Sequence, residues 1–592
     1  MIFYFITIAV LIISLYLSVR YYRKKRNEKM IKSFLKPYDP NWKIKKRAEI
    51  IEDLKDSEFD VLIIGGGCTG VGCALDAATR GLKVGLIESD DFGSGTSSKS
   101  SKLLHGGVRY LEKAINDLDC KQFNFVSEAL NERKIVMDAC PYLTKSIEIM
   151  FPVYQRIMII YYYIGLKIYD WMSGSQSLGP SRFLNREDTI KTFSNIRKDG
   201  LKGSIVYKDG QFDDAKYCVM IALTSAYFGA SILNHCQFKR FIKENGKIKG
   251  VIAFDKLSKK ELTIKTKTVI NTTGQFADKI RHLVENDDKK ILAQSSGTHV
   301  IVSKEFGPTN MGFVDPNTAD GRIAFFIPFK GKLLMGGTDI RYKEESYVEP
   351  NQADLKFLIH EIDFYTNRNT FVNKNDIFSV WTGIRPLIKD DSKEFTEEIV
   401  RRHSILVDKD GLITCTGGKW TIYRLMAEQA INKLVRTFKF KTKRGCVTRH
   451  IKLLGAQNYS EETINDIMTN LRISYDVAEH LATSYGTRAL LISNYIKERP
   501  NSFVSEYPYI KEEILYQMDH EMAFKITDVL FNRLMLSYID VRTAFDLVEI
   551  VGEIMKEHYN WSEDYYKEQC EEAKMFLNTA GYSLLNTTEI DL

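Results

Sequence analysis

The amino-acid sequence predicts an α/β fold: a Rossmann-like dinucleotide-binding domain interleaved with an antiparallel-sheet domain, then a helical domain, behind an N-terminal transmembrane helix. Three patterns predict it. A short, largely apolar run at 59–64 (FDVLII) leads directly into Gly65-x-Gly67-x-x-Gly70, the opening of a βαβ unit. Short β-rich runs alternate with turns from about 200 to 410, and helical periodicity takes over from about 450. The 592 residues suffice for two or three domains with their own cores.

Residues 1–19 (MIFYFITIAVLIISLYLSV) contain no charge. As a helix they would extend about 29 Å, close to the thickness of a hydrocarbon core. Arg20, Arg23, Lys24, Lys25 and Arg26 follow at once and would hold that end at the cytoplasmic or equivalent face. A cleaved signal peptide would carry a charged leading region and a small-residue cleavage site, and neither is present. The expectation is an uncleaved anchor at 1–19 and a basic juxtamembrane linker at 20–57. A second apolar stretch at 157–166 (IMIIYYYIGL) is about half the length of a span. It reads either as a buried core helix or as an interfacial helix with its tyrosines at headgroup level.

In the βαβ unit the glycines have separate tasks. Gly65 permits the tight turn, Gly67 lets backbone approach a pyrophosphate, and Gly70 allows close helix–strand packing. The helix N-terminus then offers N–H groups and a positive dipole end to a diphosphate. Glu88 closes the second strand (KVGLIE), where an acid accepts hydrogen bonds from ribose hydroxyls. This pattern does not separate FAD from NAD.

The runs GSIVY, KGVIAF, KTVINTTG, THVIVS, IAFFIP and KLLMGGTD suit an antiparallel substrate-side sheet. The expected boundaries are 58–445 for the interleaved dinucleotide and substrate domains and 446–592 for the helical domain. The net charge of +7 is modest, and no basic block with interleaved aromatics occurs in the folded part, which argues against nucleic acid as a partner. Nine scattered cysteines include no C-x-x-C pair; they read as reduced, mostly buried thiols, with no metal site expected.

After the second strand comes GTSSKSSKLLHGGVRYL (95–111). This segment closely resembles the flavin loop of FAD-dependent glycerol-3-phosphate dehydrogenases, particularly the mitochondrial ones. VYKDGQFDDAK (206–216), VINTTG (269–274), GTHVIV (297–302), WTGIRP (381–386) and GGKWTIYR (417–424) continue the resemblance in order, and it covers about 57–585. The family's usual residues are replaced by Thr272 within VINTTG and Gln275 directly after it, by Ile422 in the last segment, and by Gly337 in GGTD (336–339). No D-x-[DN]-x-[DN]-G loop follows the helical region, so the calcium-binding pair of several animal members is not expected.

The resemblance implies FAD as cofactor. It places Gly65, Gly67, Gly70, Glu88, Thr96, Ser97, Ser98, Lys102, Leu103, His105, Gly106, Gly107, Thr273, Gly274, Gly417 and Gly418 at the cofactor. Hydroxyls of the loop would meet the diphosphate and flavin edge, and Gly106-Gly107 would let the chain pass close to the isoalloxazine. The implied reaction oxidises sn-glycerol 3-phosphate to glycerone phosphate by hydride transfer to the flavin. Such chemistry needs an anion clamp, a base and orientation. Arg385 and Arg109 are the phosphate ligands the resemblance implies, since a guanidinium forks onto phosphate. His299 titrates in the range suited to a general base. Lys419 would hold the substrate or stabilise reduced flavin, and Thr421 and Tyr110 would orient. His299 and Lys419 both remain open as the base.

Quinone in a lipid bilayer is the expected electron acceptor, and the mitochondrial inner membrane, outer face, the expected location. An oxidase of the same substrate that uses oxygen is the alternative, and a related flavin amine oxidase a more distant one. Two arginines and a lysine at matching motifs favour phosphate over a carboxylate. A homodimer is compatible with the sequence but not specified by it.

Overall fold

Val61–Ile64 is buried at every position, as a strand covered on both faces must be. In the computed structural model, which describes residues 35, 37–108, 110–112, 119–284, 290–308, 310–315, 324–342, 348–366, 371–390, 402–498, 500 and 502–587, this strand is central in a six-stranded sheet. The order is His403–Val407, Leu412–Gly417, Val269–Asn271, Val61–Ile64, Val84–Ile87, Ser231–Leu233. All neighbours pair in parallel except the His403–Val407 edge. The helices Cys68–Thr79, Asp214–Tyr227 and Tyr423–Phe438 pack against it, and their apolar faces form one core with the strands. The expected βαβ opening is therefore present.

The expected anchor at 1–19 and the basic run after it lie outside the described residues, as does Arg109. Among the described residues no helix is long and apolar enough to cross a membrane. The end of the expected linker is part of the folded body. Arg47–Asp56 is a helix whose Ile50 and Leu54 enter the dinucleotide-domain core, and Arg47 pairs with the buried Asp255 at 2.5 Å.

A second sheet of ten strands carries the other half of the site. It is antiparallel apart from Gly312–Asp315 running parallel with Thr144–Val153. It starts earlier in the chain than the β-rich pattern indicates, since Leu103–Leu104 and Thr144–Val153 both join it. The run KGVIAF, conversely, lies in Lys247–Asp255, part of a separate four-stranded sheet beside the dinucleotide domain. Period-two alternation identifies a strand but not the sheet that takes it.

The helical region from about 450 is less separate than its periodicity implies. Ile514, Val529, Leu530 and Tyr538 share a core with Val300 and Trp381 of the ten-stranded sheet. Buried polar pairs fasten it to the dinucleotide domain: Arg533 with Asp91 at 2.5 Å, the His235 ring with the Asp528 carboxylate at 2.9 Å, and Lys216 with Glu521. Removing one member of such a pair leaves an unpaired buried charge, so these contacts fix how the units meet.

Candidate active site and dinucleotide cleft

The glycine turn works through contacts that leave no room for a side chain. A Cβ on Gly70 would stand 1.8 Å from the Gly65 carbonyl oxygen, and one on Gly65 2.7 Å from the Thr272 carbonyl oxygen. Gly65 also has φ +102°, a left-handed conformation that glycine adopts without strain. Together they press the Cys68 helix against both strands and aim its N-terminus into a cleft of about 500 Å³. That cleft is lined by Gly65, Gly67, Glu88, Thr96, Ser97, Thr273, Gly274, Gly417 and Gly418, all expected at the cofactor, and by Lys419. Gly70 supports it through packing.

Glu88 lies at the strand end, its carboxylate accepting from the Gly66 N–H at 2.5 Å and the Asp90 N–H at 2.8 Å. Burial, reinforced by the charge of Asp90, pushes its pKa up to about 7, so further donors such as vicinal hydroxyls would be favourable partners. Gly274 has φ +58° and open space where a side chain would be, while Gly417 and Gly418 are consecutive left-handed residues. A helix N-terminus, an acid one strand away and three glycines at the far rim fit a flavin dinucleotide.

The loop 95–107 divides its tasks. Thr96 donates its hydroxyl to the Ile384 carbonyl at 2.6 Å, and Ser97 accepts from the Cys68 N–H at 3.0 Å. Ser98 and Lys102 face inward. Lys102 is sealed from solvent, paired with Asp214 at 2.6 Å and lying 5.5 Å and 4.9 Å from the Trp381 and Tyr538 ring centres. Ser98 Oγ meets the Tyr538 hydroxyl at 3.0 Å. Leu103 pairs with Gln211 in the ten-stranded sheet. These three hold the loop from behind. His105 Nδ1 is 2.6 Å from Asp209, which also pairs with Arg133 at 2.7 Å. Gly106 is required by what lies behind it, because a Cβ there would stand 2.1 Å from the Tyr169 hydroxyl. Gly107 turns the chain at φ +96°.

Two antiparallel strands, Leu292–Val302 and Ile377–Ile388, bring the expected substrate residues together. Their register sets Ser295 opposite Arg385, Gly297 opposite Gly383 and His299 opposite Trp381, so Arg385 and His299 share one face. The Arg385 guanidinium leans over Gly297, where a Cβ would stand 2.1 Å from Nη2. Its Nη1 donates to the carbonyls of Thr338 at 2.9 Å and Ser296 at 3.1 Å. A Cβ on Gly337 would lie 3.1 Å from Arg385 Nη2 and 3.7 Å from His299 Nε2. The cation and the imidazole thus converge on one glycine.

His299 is buried, stacks on Trp381 with rings 12° from parallel, and has Nε2 2.9 Å from Ser101 Oγ. Burial, then the positive charges of Arg385 and Lys102, lower its pKa to about 3, so the imidazole is neutral at physiological pH and titrates well below the near-neutral range the sequence leads one to expect. Lys419 is placed differently: its ammonium lies 4.1 Å from the Tyr110 ring centre and 5.4 Å from that of Phe125. Thr421 is buried and donates to the His105 carbonyl at 3.3 Å, tying the two halves of the cleft rim. Ser101, Trp381 and Tyr538 are site residues the sequence reading did not single out. Trp381, Gly383 and Arg385 alternate along one strand, a signal for Trp381; Tyr538 joins from another domain and has none.

Comparison with known proteins agrees with this geometry. Residues 60–424 match the family model described as FAD dependent oxidoreductase, and 446–566 that described as the C-terminal domain of alpha-glycerophosphate oxidase. A probable glycerol-3-phosphate dehydrogenase of Encephalitozoon cuniculi is 44% identical over 98% of this chain and 95% of its own length. The human mitochondrial glycerol-3-phosphate dehydrogenase is 37% identical over 90% of this chain and 75% of its own length. The crystal structure of the Bacillus halodurans glycerol-3-phosphate dehydrogenase complexed with FAD superimposes with a TM-score of 0.75 at 27% identity, covering 91% of this chain and 98% of that one. The chain belongs to the FAD-dependent glycerol-3-phosphate dehydrogenase family.

Proposed function

We propose that this protein oxidises sn-glycerol 3-phosphate to glycerone phosphate and delivers the electrons to a membrane quinone. The observation that carries the reading is the convergence of Arg385 and His299 on Gly337, in a protein whose relatives are named for this activity. When bound, FAD accepts the hydride from carbon 2 of the substrate.

The chain's own residues supply the rest. Arg385, oriented by the Ser296 and Thr338 carbonyls, binds the phosphate, with Arg109 as the second ligand. His299 takes the proton of the 2-hydroxyl at Nε2, where the Ser101 hydroxyl holds the imidazole in place. A buried neutral imidazole is available as a base, and a phosphate dianion against Arg385 cancels part of the charge that opposes its protonation. Lys419, held against the Tyr110 ring, keeps its cation at the cleft rim, where it favours the anionic reduced cofactor or the substrate. We assign the base to His299 rather than Lys419, because the aromatic face stabilises the ammonium as a cation.

Quinone as acceptor, bilayer attachment through residues 1–19 and location at the outer face of the mitochondrial inner membrane complete the proposal; several relatives are named as mitochondrial. Anaerobic addition of sn-glycerol 3-phosphate to the purified holoenzyme should bleach the flavin band, whereas glycerol and amino acids should not. Rapid reoxidation by a soluble quinone and slow reoxidation by air support the dehydrogenase. The reverse order makes it an oxidase, and a flavin that stays oxidised rejects the substrate.

A further inference from the structure

sn-Glycerol 3-phosphate and glycerone phosphate differ at carbon 2 and carry the same phosphate. A clamp on that phosphate alone binds both alike, so added strength there deepens product inhibition without speeding the chemistry. The charge of such a clamp therefore has to be limited as well as supplied.

The strand Lys332–Gly336 and the strand Ile340–Tyr342 both pair with Leu292–Val302, with Gly336 opposite His299 and Ile340 opposite Ser296. Between those positions Gly337, Thr338 and Asp339 oppose only Gly297 and Thr298. This excess of one residue is a bulge, which bends the strand and re-aims its groups. The Thr338 carbonyl accepts from Arg385 Nη1 at 2.9 Å, and Asp339 Oδ1 lies 3.8 Å from the same nitrogen. Ser295, opposite Arg385 in the strand pair, links the two. Its hydroxyl donates to Asp339 Oδ1 and accepts from Arg385 Nη1 at 3.4 Å.

The guanidinium is thus divided. Nη1 engages Ser295, Ser296, Thr338 and the charge of Asp339. Nη2 lies toward Gly297 and Gly337, where the proposed phosphate site is. The Asp339 side chain is only 10% exposed and that of Arg385 21%, so solvent screens their attraction only in part.

We propose that Asp339 is a positioning residue of the phosphate clamp, a fixed counterion held through Ser295. It aligns Arg385 and offsets part of its charge, so that glycerone phosphate leaves as readily as sn-glycerol 3-phosphate enters. The inference rests on the reading of Arg385 as a phosphate ligand. Asp339 touches no reacting atom and acts through Arg385. Its removal has a diagnostic sign. Loss of a residue that only supports the fold weakens ligand binding, whereas loss of a counterion tightens it.

The test is inhibition of anaerobic flavin reduction in the holoenzyme by inorganic phosphate and by glycerone phosphate, at constant ionic strength. Asp339→Asn keeps the shape and loses the charge. It should lower both inhibition constants roughly tenfold, with a parallel fall in the half-saturation concentration of sn-glycerol 3-phosphate. Inhibition by phosphate that is unchanged or weaker in this variant overturns the proposal. Asp339→Ser removes the same charge with a smaller side chain and carries the test if the asparagine variant does not fold. The two readings fail separately. Phosphate that inhibits the wild type and Arg385→Ala equally rejects Arg385 as the phosphate ligand. Phosphate that acts through Arg385, but no more strongly in Asp339→Asn, rejects only the counterion.

Discussion

Gly336 stands directly across the strand pair from His299, and a Cβ on it would lie 2.1 Å from His299 Cδ2. The imidazole is clamped between that glycine and the Trp381 ring. Replacing Gly336 by alanine must push the ring off Trp381 and away from Ser101. A displacement of about 1 Å at a reacting group costs on the order of a hundredfold in rate. Gly336→Ala should therefore slow anaerobic flavin reduction by about that factor while the protein still retains FAD, as stopped-flow absorbance will show. An unaltered reduction rate would remove His299 from the reaction.

Arg385 is held by two backbone carbonyls on one nitrogen, with Nη2 over Gly297 and near Gly337. A lysine cannot reproduce that fork. Arg385→Lys should keep the charge but lose the paired hydrogen bonds to phosphate, lowering kcat/KM by roughly thirty- to a hundredfold, equivalent to about 2–3 kcal/mol. Glycerol, which has no phosphate, should be turned over equally poorly by both proteins. If the variant loses activity on both compounds in the same proportion, Arg385 positions the strand and does not bind the phosphate.

The dinucleotide half of the site was legible because its chemistry is local. Gly65, Gly67, Gly70 and Glu88 occupy one βαβ unit, where turn and strand geometry dictate residue type. The substrate half depends on pairing between distant segments. Alternation places Arg385 and Trp381 on one strand face, but only the register brings them opposite Ser295 and His299. Lys102 marks where the motif misleads. It belongs to a hydroxyl-rich loop expected to meet the cofactor, yet its side chain turns inward to Asp214. Nothing in a linear pattern says which way a loop residue faces. Tyr538 reaches the floor beneath Trp381 from the helical domain, a contact with no local signal at all.

His299 is held neutral down to about pH 3 and His520, buried beside Arg488 and Lys43, down to about pH 4. In the unfolded chain both titrate near 6.5. Between those values the unfolded chain binds more protons than the folded one. The stability that neutral burial preserves above about pH 6.5 is therefore lost as the pH falls toward 4 and 3. The slope approaches about 1.4 kcal/mol per pH unit for a fully buried group such as His299. Thermal denaturation of the wild type should show a falling midpoint on that acid side, and His299→Gln should flatten it. Equal pH slopes for the two proteins would mean that His299 is protonated in the folded state.

Lys102 and Asp214 form a pair with no solvent access on either side chain, and Asp214 also receives the Ser100 hydroxyl at 2.6 Å and the Ser100 N–H at 3.1 Å. Lys102→Met keeps most of the volume but strands a buried carboxylate, a loss of about 3–5 kcal/mol. Asp214→Asn strands a buried ammonium against Trp381 and Tyr538, whose rings compensate in part. The double variant leaves no buried charge at this position, so it should be more stable than Lys102→Met alone and the two effects should not add. The check is a double-variant cycle on the heat-induced release of flavin, which reports the loop that this pair supports. Additive losses would show that the two charges do not act as a pair. A double variant no better than Lys102→Met would place the loop's stability in the Ser100 and Ser98 contacts instead.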